Sequence, residues 1–225
     1  YFHDDDFDDA VWEIDFTFSV PEDLSSGVYA ARLRSNGDEE YLPFFVRPPK
    51  GTATSEIAFL IPTLTYVTYA NFHDISEGLW DPSRIPHGDQ ELHKEQYDYI
   101  LQNDMVGLYD LHSDGSGTVY SSMLRPILNM RPKFRYRVWG APSRFPADLY
   151  MTDWLDEKGY EADIITDHDL HEEGVSLLSR YKVVITGSHP EYWTSQMLAG
   201  LETYLGQGGR LMYLGGNGFY GIVSV

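Results

Sequence analysis

From residue 147 onward the chain alternates helical and extended patterns at short intervals, and this rhythm limits the fold more than any other feature. Ala147 to Lys158 has helical spacing, with Leu149, Trp154 and Leu155 expected toward a core and Gly159 closing the helix. Ala162-Asp163-Ile164-Ile165-Thr166 has strand character, and Asp169 to Ser179 holds a short helix. Lys182 to Ile185 is the next strand, Ser195 to Leu205 the next helix, and Gly208-Gly209 its stop. Arg210 to Leu214 is a further strand, and the apolar run Glu56 to Ile61 is an earlier one. Strands alternating with helices through short loops imply an α/β fold with a doubly wound, mostly parallel sheet. In such sheets ligands bind beyond the carboxyl ends of the strands.

The first part of the chain has a different period. Residues 11 to 18 alternate apolar and polar, as a half-buried strand does. Val28 to Leu33 and Tyr41 to Val46 are two more expected strands, joined by Ser35-Asn36-Gly37-Asp38. Three strands do not close a sandwich, so residues 1–48 are expected to be the C-terminal part of an immunoglobulin-like β-sandwich. Residues 49–55 form a linker, and residues 56–225 form the α/β domain. The sequence opens without Met, in an acidic stretch, and stops shortly after a strand; it is expected to be a piece of a longer polypeptide.

Charge and composition exclude several classes. There are 16 basic and 35 acidic residues, a formal net charge of -19, which repels phosphate backbones and anionic lipid. Nucleic-acid and membrane partners are therefore not expected. The absence of cysteine removes disulfides, thiolate metal sites and a Cys nucleophile together, and agrees with a cytoplasmic setting. Asp4-Asp5-Asp6 with Asp8-Asp9 is either a solvated acidic loop or a calcium site; the spacing lacks the alternating ligands and Gly of an EF-hand, which favours the loop. His168 and His171, with Glu172, have the spacing of a zinc pair on a helix, but their acidic surroundings favour a solvated helix start.

Three loops leave the carboxyl ends of the expected parallel strands: Pro62 to Asn71, Gly187-Ser188-His189-Pro190-Glu191, and Gly215-Gly216-Asn217-Gly218-Phe219. A long insertion between Asn71 and Arg144, with one helix expected around Leu92 to Leu101, contributes a fourth dense polar segment, Gly107 to Gly117. Gly215-Gly216-Asn217-Gly218 is not a dinucleotide fingerprint, and Asp114-Gly115-Ser116-Gly117-Thr118 lacks the Lys of a phosphate-binding loop. Gly115-Ser116-Gly117 also misses the nucleophile elbow of serine hydrolases. What remains is metal-assisted or two-carboxylate chemistry. On spacing alone, His189 and Glu191 could equally cap the helix that follows Thr194.

Pro62-Thr63-x-Thr65-Tyr66-x-x-Tyr69-Ala70-Asn71, Tyr109-Asp110-x-His112-x-Asp114-Gly115-Ser116-Gly117 and Gly187-Ser188-His189-Pro190-Glu191-Tyr192, in that order, resemble the large (beta) subunit family of N,N-dimethylformamidase. The resemblance implies an immunoglobulin-like sandwich followed by a class I glutamine-amidotransferase-like domain. It also implies a mononuclear Fe(III) held by two tyrosines and a glutamate. Carried onto this chain, these are Tyr109, Glu191 and a tyrosine of the first motif, with Tyr69 preferred to Tyr66; His189 and Asn217 match positions beside the iron. Hard phenolate and carboxylate oxygens suit ferric iron. The implied reaction is hydrolysis of a small N-substituted amide, such as N,N-dimethylformamide to formate and dimethylamine, by a metal-bound hydroxide. His189 would carry the proton and Asn217 would orient the carbonyl. The implied partners are the amide, a small subunit and further copies of the large subunit. Two other readings stay open: a glycosidase using Glu191 with Asp110 or Asp114, and a non-catalytic amidotransferase-like interaction domain.

Overall fold

The structure, a computed structural model, describes residues 3, 5, 6, 9–72, 91–105 and 107–225. Asp4 and Asp8 of the acidic run, and part of the long insertion, lie outside the described residues. In chain order the elements are β1 (Gly27–Ser35), β2 (Asp38–Val46), β3 (Ile57–Ile61), α1 (Thr63–Thr68), α2 (Lys94–Gln102) and α3 (Phe145–Glu157). There follow β4 (Asp163–Thr166), α4 (Asp167–Glu173), α5 (Val175–Leu178), β5 (Val183–Thr186), β6 (Tyr192–Trp193), α6 (Ser195–Gly206), β7 (Arg210–Met212) and β8 (Gly221–Ile222). The chain divides into two compact units: Tyr1–Thr17 with Tyr66–Pro146, and Phe18–Thr65 with Ala147–Val225.

The second of these units holds a four-stranded parallel sheet in the order β4-β3-β5-β7. The α/β reading is correct at this level. Successive side chains of a strand point to opposite faces. Ala58 and Leu60 join a cluster with Ile165, Val184, Leu170, Leu177, Trp193, Met197 and Leu201. Phe59, Ile61, Ile164 and Ile185 are buried as well, so β3, β4 and β5 are covered on both faces, while the edge strand β7 exposes Arg210 and Met212. That is why the covered strands are continuous apolar runs. Helices begin where the sequence supplies caps. The Thr166 hydroxyl accepts the Asp169 N–H while the Asp169 carboxylate accepts the Thr166 N–H, a capping box that starts α4. Thr194 accepts the Met197 N–H at the start of α6.

The β1–β2 hairpin turns at Asn36-Gly37, both with positive φ (50° and 95°), the two-residue turn that matches strand twist. It is tied to β4 by Ser26, whose hydroxyl accepts the Ile164 N–H and donates to the Val46 carbonyl. Arg47 follows and bridges Asp169 and Glu173 of α4. Residues 11 to 18, expected as a strand, form none: Val11 sits in the left-handed region (φ 52°), and Val11, Trp12, Ile14 and Phe16 are exposed. Alternation fits a strand only where a neighbouring strand supplies the ladder, and among the described residues none pairs with this segment. Trp154 also departs from expectation. It is exposed and stacks on Tyr160, because Phe145, Asp148 and Leu155 occupy the buried face of α3.

The other unit contains α2 and a cluster of Tyr97, Phe134 and Tyr136. Its buried loops depend on two asparagines. Asn71, fully buried with φ 58°, donates from its side chain to the Pro126 carbonyl and accepts the Leu128 N–H. Asn129 accepts the Asn71 N–H and donates to the Tyr69 carbonyl and the Tyr136 hydroxyl oxygen. No helix among the described residues is long and apolar enough to cross a membrane.

Asp163 closes the entry to β3. It is buried, and its carboxylate accepts the N–H groups of Thr54 and Ser55 at 2.8 and 3.2 Å and the Thr54 hydroxyl. Asp163→Ala strands those donors and is expected to cost about 2 kcal/mol or more of stability. Urea denaturation checks this, with Asp163→Asn, which keeps one acceptor, falling between variant and parent.

Candidate functional site

The residues leaving β3 make a three-part tie. Pro62 ends the strand, and α1 begins at once. The Thr63 hydroxyl lies 2.8 Å from His168 Nδ1, the Leu64 N–H donates to Asp167 at 3.1 Å, and the Thr65 hydroxyl accepts the N–H groups of Glu191 and Tyr192 at 3.1 and 3.3 Å. Thus the carboxyl ends of β3, β4 and β5 are joined by one tie between side chains and by side chain to backbone bonds. In the strand order β4-β3-β5-β7, successive connections leave β3 in opposite directions. The gap between the ends of β3 and β5 is therefore the topological switch point, where open α/β sheets place ligands.

His189 and Glu191 stand at that gap. Glu191 is 1% exposed, and its Oε1 lies 3.0 Å from His189 Nδ1; the His189 side chain is partly exposed. The loop that holds them is pressed between neighbours. A Cβ on Gly187 would meet Pro62 at 2.6 Å and the Asp148 carboxylate at 2.8 Å, so only glycine fits there. The Asp148 carboxylate accepts the Ser188 N–H. On the other side, the Gly216 N–H donates to the Ser188 carbonyl, and the Phe219 and Tyr220 N–H groups donate to the carbonyls of Pro190 and Glu191. This draws the Gly215-Gly216-Asn217-Gly218 turn against His189; a Cβ on Gly216 would lie 3.2 Å from the imidazole. Asn217 itself is exposed, with φ 51°, a left-handed conformation that asparagine tolerates. The cap role that spacing left open for His189 and Glu191 falls to Thr194.

Tyr69 and Tyr109 belong to the other compact unit, and there they meet. Their hydroxyl oxygens are 2.8 Å apart, and their rings stack with centroids 4.8 Å apart. The Arg144 guanidinium lies 3.4 Å from the centre of the Tyr69 ring, with Phe72, Tyr136 and Trp139 around it. Arg144 is buried, its backbone is left-handed (φ 57°), and it donates to the Ser143 hydroxyl. Tyr66 is buried elsewhere in this unit, edge-on to Phe145. Two phenol oxygens at this spacing fit adjacent positions on one small cation, since donors about 2 Å from an octahedral ion lie about 2.8 Å apart.

Residues 1–225 match the family described as N,N-dimethylformamidase beta subunit-like, C-terminal. The chain belongs to this family. It is 47% identical, over 231 aligned residues, to the N,N-dimethylformamidase beta subunit of Alcaligenes sp, and 46% identical to that of Paracoccus aminophilus. Each alignment covers all of this chain and 30% of the relative, so the chain spans under a third of the length of either.

Within this member of the dimethylformamidase beta family, sequence reasoning passed over several residues, three at the switch point and one in the other compact unit. Thr65 and the acids Asp148 and Asp167 are buried among polar neighbours, and Arg144 is buried against Tyr69. Asp148 was detectable in principle, because it shares the buried face of α3 with Phe145 and Leu155 at helical spacing. His168 and His171, the candidate zinc pair, each face a threonine hydroxyl instead, Thr63 and Thr194.

Asp167 has its ionisation pushed well above the usual aspartate range, first by burial and further by the nearby Asp148 charge; the Leu64 N–H opposes this. The folded chain therefore holds a proton that the unfolded chain releases near pH 3.9. The folded state binds more protons, so stability falls as pH rises from about 3.9 toward the folded value. Asp167→Asn keeps an acceptor for Leu64 and removes the ionisation. Its denaturation free energy, followed between about pH 4 and 8, is expected to lack that fall; parallel curves for parent and variant would contradict it.

Proposed function

We propose that the protein containing this chain hydrolyses small N-substituted amides such as N,N-dimethylformamide, giving formate and dimethylamine. In this reading Tyr69, Tyr109 and Glu191 hold a mononuclear ferric ion. The single observation that carries it is the meeting of the Tyr69 and Tyr109 hydroxyls at 2.8 Å, within a family whose curated relatives bear the dimethylformamidase name. The donor set supports it: phenolate and carboxylate oxygens are hard ligands. Glu191 is buried with the His189 imidazole 3.0 Å from its Oε1, a setting that suits a carboxylate holding a cation. When bound, such an ion acidifies water and polarises an amide carbonyl.

The chain's own residues then have separate tasks. Arg144, lying on the Tyr69 ring, holds that ring in position. His189 turns Nδ1 to Glu191, which leaves Nε2 to carry a proton to the amine nitrogen as the carbon–nitrogen bond breaks. Asn217, on the turn packed against His189, orients the carbonyl oxygen and stabilises the charge that develops on it. The sheet order supports an amidotransferase-like α/β domain, and the β1–β2 hairpin supports the end of an immunoglobulin-like sandwich. The beta-subunit names of the relatives support a second kind of subunit as partner; self-association of the large subunit completes the proposed assembly.

The purified full-length protein is expected to contain one iron per chain and to show visible tyrosinate-to-iron absorption. Tyr69→Phe and Tyr109→Phe each weaken that band, Tyr66→Phe does not, and Glu191→Ala loses iron and activity. His189→Ala keeps iron but lowers kcat about 10²–10⁴-fold. Elemental analysis, absorption spectra and formate release check these outcomes. A wild type without iron, or a Glu191→Ala protein that keeps both iron and activity, sinks the assignment.

A further inference from the structure

We propose that His3, Asp6 and His112 form a separate cation site for a divalent transition ion of the zinc class. The site is independent of the tyrosine and glutamate set. Asp6 Oδ1 lies 3.7 Å from His3 Nδ1 and 3.7 Å from His112 Nε2, and one donor atom from each residue falls within 4.8 Å of the others. Donors bound tetrahedrally at about 2.0–2.2 Å sit about 3.3–3.6 Å apart, so two of the three pairs need only small movements.

The surrounding hydrogen bonds fix which ring atoms face inward. His112 Nδ1 is 2.7 Å from Asp5 Oδ1, and the other Asp5 oxygen accepts the Ser113 N–H at 2.8 Å. An ionised carboxylate only accepts, so Nδ1 carries the hydrogen and Nε2 presents its lone pair toward Asp6. On the other ring, His3 Nε2 is 2.9 Å from the Ser116 hydroxyl, which itself donates to Asp114 at 2.6 Å. A hydroxyl has one proton; with that proton on Asp114, the oxygen accepts from His3 Nε2, and Nδ1 presents its lone pair toward Asp6. Two imidazole lone pairs and a carboxylate oxygen thus converge. This is the arrangement of ligands with oriented outer partners that metal-binding histidines show.

The donor chemistry selects the ion. Two nitrogens and one oxygen suit zinc and its neighbours, whereas calcium and magnesium take oxygen shells. Among the described residues of the acidic run, Asp5 and Asp6 face imidazole nitrogens. The two rings are stacked, 3.8 Å apart and within 6° of parallel, so binding opens the angle between them to aim both lone pairs at one point. His112 is deeply buried, in a loop closed by its own bonds to Ser116 and Gly115. A cation here clips the segment around His3 to the loop that carries Tyr109.

The test uses the full-length protein with no histidine tag and its iron retained, titrated with zinc chloride by calorimetry and with cobalt(II) by visible absorption. One equivalent of zinc is expected per chain, and cobalt is expected to show four-coordinate bands. His3→Ala and Asp6→Asn are expected to weaken zinc binding about 100-fold or more, and Asp5→Asn, which only orients His112, about 10–100-fold. Glu191→Ala is expected to bind zinc at this site unchanged. His3→Ala lies at a partly exposed position, so it tests the site even if His112→Ala fails to fold. No zinc binding by the wild type overturns the proposal. So does wild-type affinity in both His3→Ala and Asp6→Asn, or loss of zinc only in Glu191→Ala.

Discussion

The switch point depends on the Thr65 hydroxyl, which accepts the N–H groups of both Glu191 and Tyr192. A loop leaving a buried strand exposes backbone donors that must find acceptors. Here one side chain on the first turn after β3 satisfies two of them in the loop after β5. Thr63 and Leu64 make equivalent links toward His168 and Asp167, so α1 acts as a crossbar for three strand ends. With that crossbar in place, Gly187 has no room for a side chain, and Glu191 is held at a fixed height above the sheet.

Much of the α/β framework was legible because its signals are local. β3, β4, β5 and β7 are short apolar runs, α4 and α6 open with capping threonines, and Gly159 follows α3 in a positive-φ turn. Elements without a local signal were missed. α1 is one and a half turns long, too short to show a period, and follows a proline as a loop would. β6 and β8 are two-residue strands defined only by each other. Residues 11 to 18 carry the right alternation without a partner strand among the described residues, so periodicity alone overstated them.

The candidate site was legible in a different way. The importance of Tyr69, Tyr109 and Glu191 came from resemblance to a family, because nothing in their spacing distinguishes them from core aromatics or a surface acid. Geometry adds the contact between the two phenols and the imidazole beside Glu191. The convergence of His3 with His112 had neither spacing nor resemblance to announce it. The pairing joins distant parts of the chain through hydrogen bonds that a linear pattern does not encode.

Asn71 carries a consequence for recognising related chains. It must accept one backbone hydrogen, donate another, fit a sealed space and hold a left-handed backbone. Glycine meets the backbone demand without the bonds, and aspartate lacks the donor and brings a buried charge. Few side chains satisfy all four conditions, so the position behaves as a lock with a single key. Because Asn129 joins Asn71 to the Tyr69 carbonyl, an asparagine two places after such a tyrosine marks how the phenol is aimed. It is a mark that can be read in a bare sequence before any coordinates exist.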